Sequence, residues 1–399
     1  MERIGIYGGT FNPPHMGHIL AATEAVKRLN LDRVLLIPDR IAPHKQLPED
    51  SASPEQRLAM LKIAADTIPN LEVSDLELRR EGKSYTYLTM LALREQYPHA
   101  RFVLLMGTDM FLSFDRWMHP EIILEHASLG VLYRGEKSEQ VTIEVKKQEM
   151  EAAGAEVALV KNEVLPLSST DLRRLLVFGC GDSYLPAGVG EYIRRHGLYS
   201  TGESYKGLSM EQLEQTVIRL LHPNRVNHVL GCRDTAVALA KQWGAEETDA
   251  ARAALLHDIT KALGPQHQLT LVEEYGKILD DFSRENPKVL HALTGSLVAE
   301  RIFGENEQVV QAVRWHTTGR PYMSLLEKII YVADYMEPNR NFPSVERLRQ
   351  LAFTDLDEAV RQGVELTISM LKKQGSRVSP VGEETLSWLN GKRKDEGIC

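Results

Sequence analysis

A doubly wound α/β domain built on a parallel sheet, followed by an all-α domain, is the fold class this sequence predicts. Three observations predict it. At 399 residues the chain is longer than one core usually grows, and at 43% hydrophobic it carries material for two cores. Between Arg3 and about His196, short apolar runs alternate with helix-period stretches, the sign of strands joined by helical crossovers. After the stretch RRHGLYSTGESYKG, strand-like runs largely vanish and helical periodicity takes over.

In chain order, RIGIYG, RVLLIP, LEVSDL, RFVLLMG, ASLGVLY and AEVALV read as strands. HILAATEAVKRL, PEQRLAMLKIAAD and TYLTMLALREQY fall between them as helices, and VTIEVKKQEMEAA reads as a surface helix. The polar, glycine-bearing stretch 200–207 is the expected linker, dividing a domain at 1–199 from one at 208–399. In the second, SMEQLEQTVIRLL, TDAARAALLHDITKAL and EKIIYVADYMEP carry the helical period. Neither an internal repeat nor a low-complexity segment is visible.

The net charge of −8 argues against nucleic acid or a membrane surface as partner. A small anionic ligand would then need locally placed donors. Cys180, Cys232 and Cys399 show no paired spacing, which suits incidental thiols in a reducing compartment. There is no basic segment leading into an apolar stretch at the start, and no apolar run of about 18 residues or more. A soluble, cytoplasmic protein is expected, and a homo-oligomer is left open.

GGTFNPPHMGH, Gly8 to His18, occupies the first strand-to-helix turn, a favoured phosphate site in an open parallel sheet. Gly8 and Gly9 let backbone approach a ligand, and Pro13-Pro14 stiffens the loop. His15 and His18 fall near the start of the next helix, where free N–H groups and the dipole favour an anion. Neither a Walker loop nor G-x-G-x-x-G is present. Two histidines here suit phosphoryl chemistry without a covalent intermediate; capping the helix is the structural alternative. Near the domain's end, Ser168, Ser169 and Thr170 of LSSTDLRR are placed to cap a helix and offer donors to an anion, with Arg173 one turn on.

GTFNPPHMGH resembles the H-x-G-H signature of the nucleotidylyltransferase superfamily, and LSSTDLRR is similar to its S-S/T-T-x-I/L-R element. With IPDRIAPHKQ, GKSYTYLTM and GTDMFLSFDRWMHPEIIL, residues 1–196 resemble the bacterial nicotinate-mononucleotide adenylyltransferases. That resemblance implies AMP transfer from ATP to nicotinate mononucleotide, giving deamido-NAD and diphosphate. It implies that Gly8, Gly9, Thr10, Phe11, Gly107 and Asp109 line the nucleotide, and that Ser168, Ser169, Thr170 and Arg173 close on its phosphates. His18 would stabilise the pentavalent state, while His15, His44 and Lys45 lie at the phosphates. Trp117 would stack on the nicotinate ring, and Ser84, Tyr85 and Thr86 would meet its carboxylate. Mg²⁺ would accompany the diphosphate. The rival acceptors are nicotinamide mononucleotide and phosphopantetheine.

The helical half holds isolated polar residues in apolar surroundings: His228, His257-Asp258, His291, His316 and Asp334. A carboxylate such as Asp334 inside KIIYVADYM is costly to bury unless paired or bound to a cation. Four histidines and two aspartates suit a transition-metal site. Adjacent helical residues point about 100° apart, so His257 and Asp258 work if ions sit in a cleft or if the aspartate bridges two. A dinuclear centre is the economical reading. The ordered set resembles the HD-domain metallophosphohydrolases. LLHDITK, HTTGRPYMSLLEKIIYVADYMEPNR and RVNHVLGCRDTAVALA are similar, over about residues 209–375, to bacterial HD hydrolases that split diadenosine tetraphosphate into two ADP. That resemblance implies iron, with manganese as the alternative, and Lys261, Arg225 and Arg320 as polyphosphate-binding candidates. Rival readings are hydrolysis of other nucleotides, cyclic dinucleotides included, and a catalytically idle regulatory module.

Overall fold

The structure, a computed structural model, describes residues 1–43, 46–48, 50–133, 137–161, 167–201 and 204–395. The chain divides into two compact units, Met1–Val177 with Gly181–Gly202, and Phe178–Cys180 with Glu203–Cys399.

In the first unit, β1 (Arg3–Gly9), β2 (Arg33–Pro38), β3 (Leu71–Val73), β4 (Arg101–Gly107), β5 (Ala127–Tyr133) and β6 (Val157–Lys161) form one parallel sheet. Its order is β3-β2-β1-β4-β5-β6. β3 is shorter than the run LEVSDL because the backbone turns at Ser74, whose hydroxyl accepts from the Leu76 N–H at 3.3 Å. Around the sheet lie α1 (Met16–Arg28), α2 (Pro54–Ala65), α3 (Thr86–Gln96), α4 (Thr108–Leu112), α5 (Pro120–His126), α6 (Lys137–Ala152), α7 (Ser169–Val177) and α8 (Val189–Arg195). Val34, Leu35, Leu36 and Ile37 are all buried, as a strand covered on both faces requires. Ile4, Ile6, Phe102, Leu104, Leu129 and Val131 form the centre of the core.

The strand order reverses between β1 and β4. From β1 the chain winds outward to β3, then crosses back to β4 and winds the other way to β6. Such a switch point opens a crevice beyond the carboxyl ends of the two central strands. Those ends are Gly8-Gly9 and Gly107.

A buried ion pair, which the sequence reading missed, ties the crevice together. Arg57 of α2 is 1% exposed; its Nη1 donates to Thr10 O at 2.6 Å and to Asp39 Oδ1 at 3.0 Å, and Nη2 donates to Asp39 O at 2.8 Å. The Thr10 hydroxyl donates to Asp39 Oδ2 at 2.7 Å. Removing one partner would leave an uncompensated buried charge, so Arg57→Ala should cost about 3–5 kcal/mol. Urea unfolding of the full chain measures this, and a variant that unfolds at the parent midpoint would contradict it.

The second unit is helical throughout its described residues. It contains α9 (Met210–Leu220), α10 (Pro223–Trp243), α11 (Glu247–Leu256), α12 (Pro265–Glu274), α13 (Asp281–Glu285), α14 (Leu290–Val298), α15 (Glu307–Trp315), α16 (Leu325–Met336), α17 (Val345–Ala352), α18 (Leu356–Lys373) and α19 (Pro380–Asp395). α10, α11, α14, α15 and α16 pack on one another and enclose the polar cluster described below. Close approach is built in at Gly295 of α14, where a Cβ would lie 3.3 Å from the His257 carbonyl oxygen.

Candidate functional sites

In the first unit, the chain leaves β1 through a loop whose Asn12–Pro13 peptide is cis and enters α1 with His15 as the N-cap residue. Phe11 stands at φ 49° and packs edge-on against Tyr7 and His18, with ring centroids 5.8 and 5.0 Å away. The His15 and His18 rings lie nearly face to face, 3.6 Å between centroids. The His15 backbone N–H donates to His18 Nδ1 at 3.2 Å, so a neutral His18 carries its proton on Nε2, available to a ligand. His15 Nδ1 is buried without a hydrogen-bond partner.

α7 is fastened to this loop. Ser169 Oγ donates to Pro13 O at 3.1 Å, and Arg173 Nη1 donates to Asn12 O at 2.7 Å and Nη2 to Thr170 Oγ1 at 3.2 Å. Ser168 caps the helix, accepting from the Asp171 N–H at 3.0 Å. The Asn12 side chain, unremarked in the sequence, donates to Ser51 Oγ at 2.9 Å and accepts from the Tyr199 hydroxyl at 2.8 Å.

Two cavities meet here. One, of about 580 Å³, is lined by Gly8, Gly9, Thr10, Phe11, His18, Ser84, Tyr85, Thr86, Gly107 and Trp117. The other, of about 770 Å³, is lined by His15, His18, Gly107, Asp109, Ser168 and Ser169. Tyr7, His18, Gly107 and Met110 line both, so the two cavities adjoin at these residues. A Cβ on Gly8 would meet no atom within 4 Å, so the glycine faces open space. Trp117 is half-buried, its ring 5.3 Å from that of Phe114. Ser84 is buried and its hydroxyl accepts from the Arg40 N–H at 2.9 Å. Glu77, another residue missed, lines the same cavity and accepts from the Thr89 hydroxyl at 2.6 Å; burial raises its carboxyl above the usual range. His44 and Lys45 lie outside the described residues.

Burial pushes His15 from 6.5 down to about 4, and burial with the neighbouring His15 takes His18 well below 6.5. Both rings are therefore neutral near pH 7. Because the folded values lie below the unfolded one, their contribution to stability is complete above pH 6.5 and is lost as pH falls towards 4. Each unit of depression corresponds to about 1.4 kcal/mol. Urea unfolding of the full chain between pH 7 and 4 should show a shallower loss for His15→Gln than for the parent; identical slopes would contradict the argument.

In the second unit, His228 lies on α10, His257 and Asp258 directly follow α11, His291 is on α14, His316 follows α15 and Asp334 is on α16. Three of the histidines repeat one device. His257 Nδ1 pairs with Ala254 O at 2.6 Å, His291 Nδ1 with Lys288 O at 2.8 Å, and His316 Nδ1 with Val313 O at 2.7 Å. A carbonyl can only accept, so Nδ1 holds a proton and the neutral ring offers Nε2 as an acceptor, which for His291 faces Lys261 Nζ at 2.9 Å. His228 differs: its Nδ1 lies 3.1 Å from Oε1 of the buried Glu337 and its Nε2 3.2 Å from Asp334 Oδ1, and although burial works against it these carboxylates raise the ring above its usual value. Glu337 can approach because residue 231 is glycine: a Cβ there would lie 2.5 Å from Glu337 Oε2.

The Nε2 atoms face one another, 3.3 Å apart for His228 and His257 and 3.1 Å for His291 and His316. Unprotonated nitrogens that close repel unless a cation lies among them. Asp258 sits between the pairs. Its Oδ2 is 3.6 and 3.5 Å from the Nε2 atoms of His228 and His257, and its Oδ1 is 3.4 and 3.9 Å from those of His291 and His316. Asp334 Oδ1 adds to the first set, 3.2 Å from His228 Nε2. The six residues expected from the sequence are thus brought together around Asp258, and their donor atoms could hold a metal ion.

Electrostatics at the two carboxylates, His291 and His316 suit a cation. Burial works against ionising Asp258 and Asp334, but His257, Lys261 and His291 around the former, and His228 and His257 around the latter, hold both below the usual carboxylate range. Burial takes His316 down to about 4 and His291 well below 6.5. Arg225 Nη1 lies 3.2 Å and Lys261 Nζ 3.4 Å from Asp258, and Arg340 Nη2 donates to Asp334 Oδ1 at 2.7 Å. Arg320 is committed elsewhere, to two hydrogen bonds with the buried Glu327 at 2.8 and 3.0 Å. Cys232, read from the sequence as incidental, has its Sγ 3.8 Å from His228 Nε2.

Residues 6–175 match the cytidylyltransferase-like family and residues 225–339 the HD domain family. The second half is 38% identical, over 46% of this chain and 98% of the other, to a protein of Bacillus subtilis named symmetrical bis(5'-nucleosyl)-tetraphosphatase. The first half is 38% identical, over 53% of this chain and 98% of the other, to one of Halalkalibacterium halodurans named probable nicotinate-nucleotide adenylyltransferase. A crystal structure from Clostridium acetobutylicum, described as a predicted HD superfamily hydrolase involved in NAD metabolism, is 35% identical over 46% of this chain and 98% of its own, with a TM-score of 0.45. Among the described residues, no helix is long and apolar enough to cross a membrane.

Proposed function

Since the chain belongs over its first half to the nicotinate-nucleotide adenylyltransferase family and over its second to the HD family of the symmetrical bis(5'-nucleosyl)-tetraphosphatases, we propose that it is a bifunctional nucleotide enzyme. One half makes deamido-NAD and diphosphate from ATP and nicotinate mononucleotide. The other hydrolyses diadenosine tetraphosphate to two ADP.

The observation that carries the first activity is the pair of cavities that adjoin at His18. ATP occupies the cavity with His15, Ser168, Ser169 and Asp109, its phosphates at the start of α7. The mononucleotide occupies the other cavity, its pyridinium ring on Trp117 and its carboxylate at Ser84, Tyr85 and Thr86, where α3 begins. Its phosphate oxygen attacks the α-phosphorus in line, and the bond to the departing diphosphate breaks. His18, with its Nε2 proton at the junction, donates to the oxygens that gain charge. His15 and Lys45 hold the outer phosphates, and Mg²⁺ accompanies the diphosphate. Arg173 acts through the loop carbonyl it holds.

The observation that carries the second activity is the gathering of histidine and aspartate donor atoms around Asp258. His228, His257, Asp334 and Asp258 would hold one ion, and His291, His316 and Asp258 the other; iron is the expected metal, with manganese as the alternative. Two such ions supply an activated water and neutralise phosphate charge. Glu337 keeps the His228 ring turned inward. Arg225 and Lys261, beside Asp258, offer cations to the polyphosphate, and Arg320 serves in a shared role only if it leaves Glu327.

One assay tests both halves: the purified full chain, given ATP, nicotinate mononucleotide and diadenosine tetraphosphate with each metal in turn, and every product identified. Deamido-NAD with diphosphate, and two ADP, are expected. Products of AMP plus ATP from the tetraphosphate, or a preference for nicotinamide mononucleotide, would overturn the respective half.

A further inference from the structure

Cys232 lies four residues after His228 on α10, the spacing that puts two side chains on one helical face. Its side chain is buried, 1% exposed, and turns towards the polar cluster. The donor atoms of His228, Cys232, His257 and Asp334 all lie within 4.8 Å of one another. On a four- or five-coordinate ion with bonds of about 2.0–2.1 Å to nitrogen or oxygen and about 2.3 Å to sulfur, neighbouring donors lie about 3–3.6 Å apart. The observed edges are 3.3 Å between His228 and His257, 3.2 Å between His228 and Asp334, 3.9 Å between His257 and Asp334, and 3.8 Å between His228 and the Cys232 sulfur, which an ion would draw in by a few tenths of an ångström. Without an ion the thiol donates weakly to the Ala333 carbonyl, also at 3.8 Å.

A second observation marks the cluster as a place where a cation belongs. Asp258 is 1% exposed, and its Oδ1, which faces His291 and His316 with Lys261 Nζ 3.4 Å away, makes no hydrogen bond, while its Oδ2 lies 3.5–3.6 Å from His257 and His228.

We propose that Cys232 is a direct ligand of the first ion, a sulfur donor added to His228, His257, Asp334 and the shared Asp258. The proposal rests on reading the cluster as a metal centre. As the metal–sulfur bond forms, the thiol proton passes to solvent. The two positions then differ in kind: the first, with sulfur, favours softer ions such as Zn²⁺ or Fe²⁺ over Mg²⁺ and Mn²⁺, while the second is nitrogen and oxygen only.

Cobalt(II) titration of the chelator-treated full chain tests this, because a cobalt–thiolate bond adds a near-ultraviolet charge-transfer band to the visible bands of the ion. The parent should develop that band with the first equivalent. Cys232→Ser and Cys232→Ala should lack it, keep the visible bands, and bind the first ion about 10-fold or more weakly, at least what losing an indirect partner costs. Cys180→Ser should leave the band intact. Cobalt bound by the parent without the charge-transfer band, or a band that survives in both Cys232 variants, would overturn the ligand assignment and leave the metal reading standing. Failure of parent and variants alike to bind cobalt would overturn both.

Discussion

Replacing His18 by alanine is expected to slow deamido-NAD formation about 10²–10³-fold, the usual effect of losing one preorganised donor to a transition state. The size follows from where the side chain stands. His18 lines both cavities, and its Nδ1 is occupied by the His15 N–H, which leaves Nε2–H available to a ligand there. Since the donor serves charge that develops only during transfer, the loss should fall on kcat more than on KM for either substrate. The alanine also removes the acceptor for the His15 N–H, so circular dichroism should confirm an unchanged fold before rates are compared. Near-normal turnover in a direct assay for deamido-NAD would refute the assignment.

Asp258→Asn is expected to empty both metal positions and abolish symmetrical cleavage of diadenosine tetraphosphate. Among the described residues, Asp258 alone presents one oxygen to the His228–His257 pair and the other to the His291–His316 pair. An amide keeps the shape and removes the charge on which both ions depend. Metal affinity should fall more than the roughly 10–100-fold typical of losing an outer partner. His316→Ala, which touches one set, should remove about one ion of two and spare the other. Metal content by elemental analysis, read beside product formation, checks both, and an Asp258→Asn chain that keeps its full complement would contradict the shared-carboxylate arrangement. Adenylyl transfer in the first unit should be unaffected.

Much of this was legible in the sequence, for identifiable reasons. Strands buried on both faces are continuous apolar runs, so all six were visible, and only β3 ended early, where Ser74 turns the backbone. Glycines and histidines crowded at the end of β1 exceed what folding needs, so they stood out as a ligand site. Aspartates and histidines alone in apolar helices stood out the same way. What was not legible depends on distant partners. Arg57 and Asp39 read as ordinary surface charges until the fold joins them. Glu337 looked like the end of a helix, although YMEPNR carried it within three residues of Asp334. Cys232 has a visible spacing from His228, but a cysteine in a helix is usually a small apolar filler, and only the inward face of α10 distinguishes it. Arg320 was a candidate through the resemblance of its H-T-T-G-R element, and its two hydrogen bonds to Glu327, in the first turn of α16, could not be read from the sequence.

The three repeated pairings of a histidine with the carbonyl three residues before it have a further consequence. Each ring is oriented by its own helix end, but no helix contributes enough donors to hold an ion alone, so ion binding is coupled to the presence of α10, α11, α14, α15 and α16 together. Partly opened forms that release any one of these helices lose affinity, and mass action by the free ion therefore penalises all of them at once. The metal acts as a cooperativity device: it converts local opening of single helices into an all-or-none event for the enclosing bundle, visible as slowed amide hydrogen exchange across all five helices when the ion is supplied.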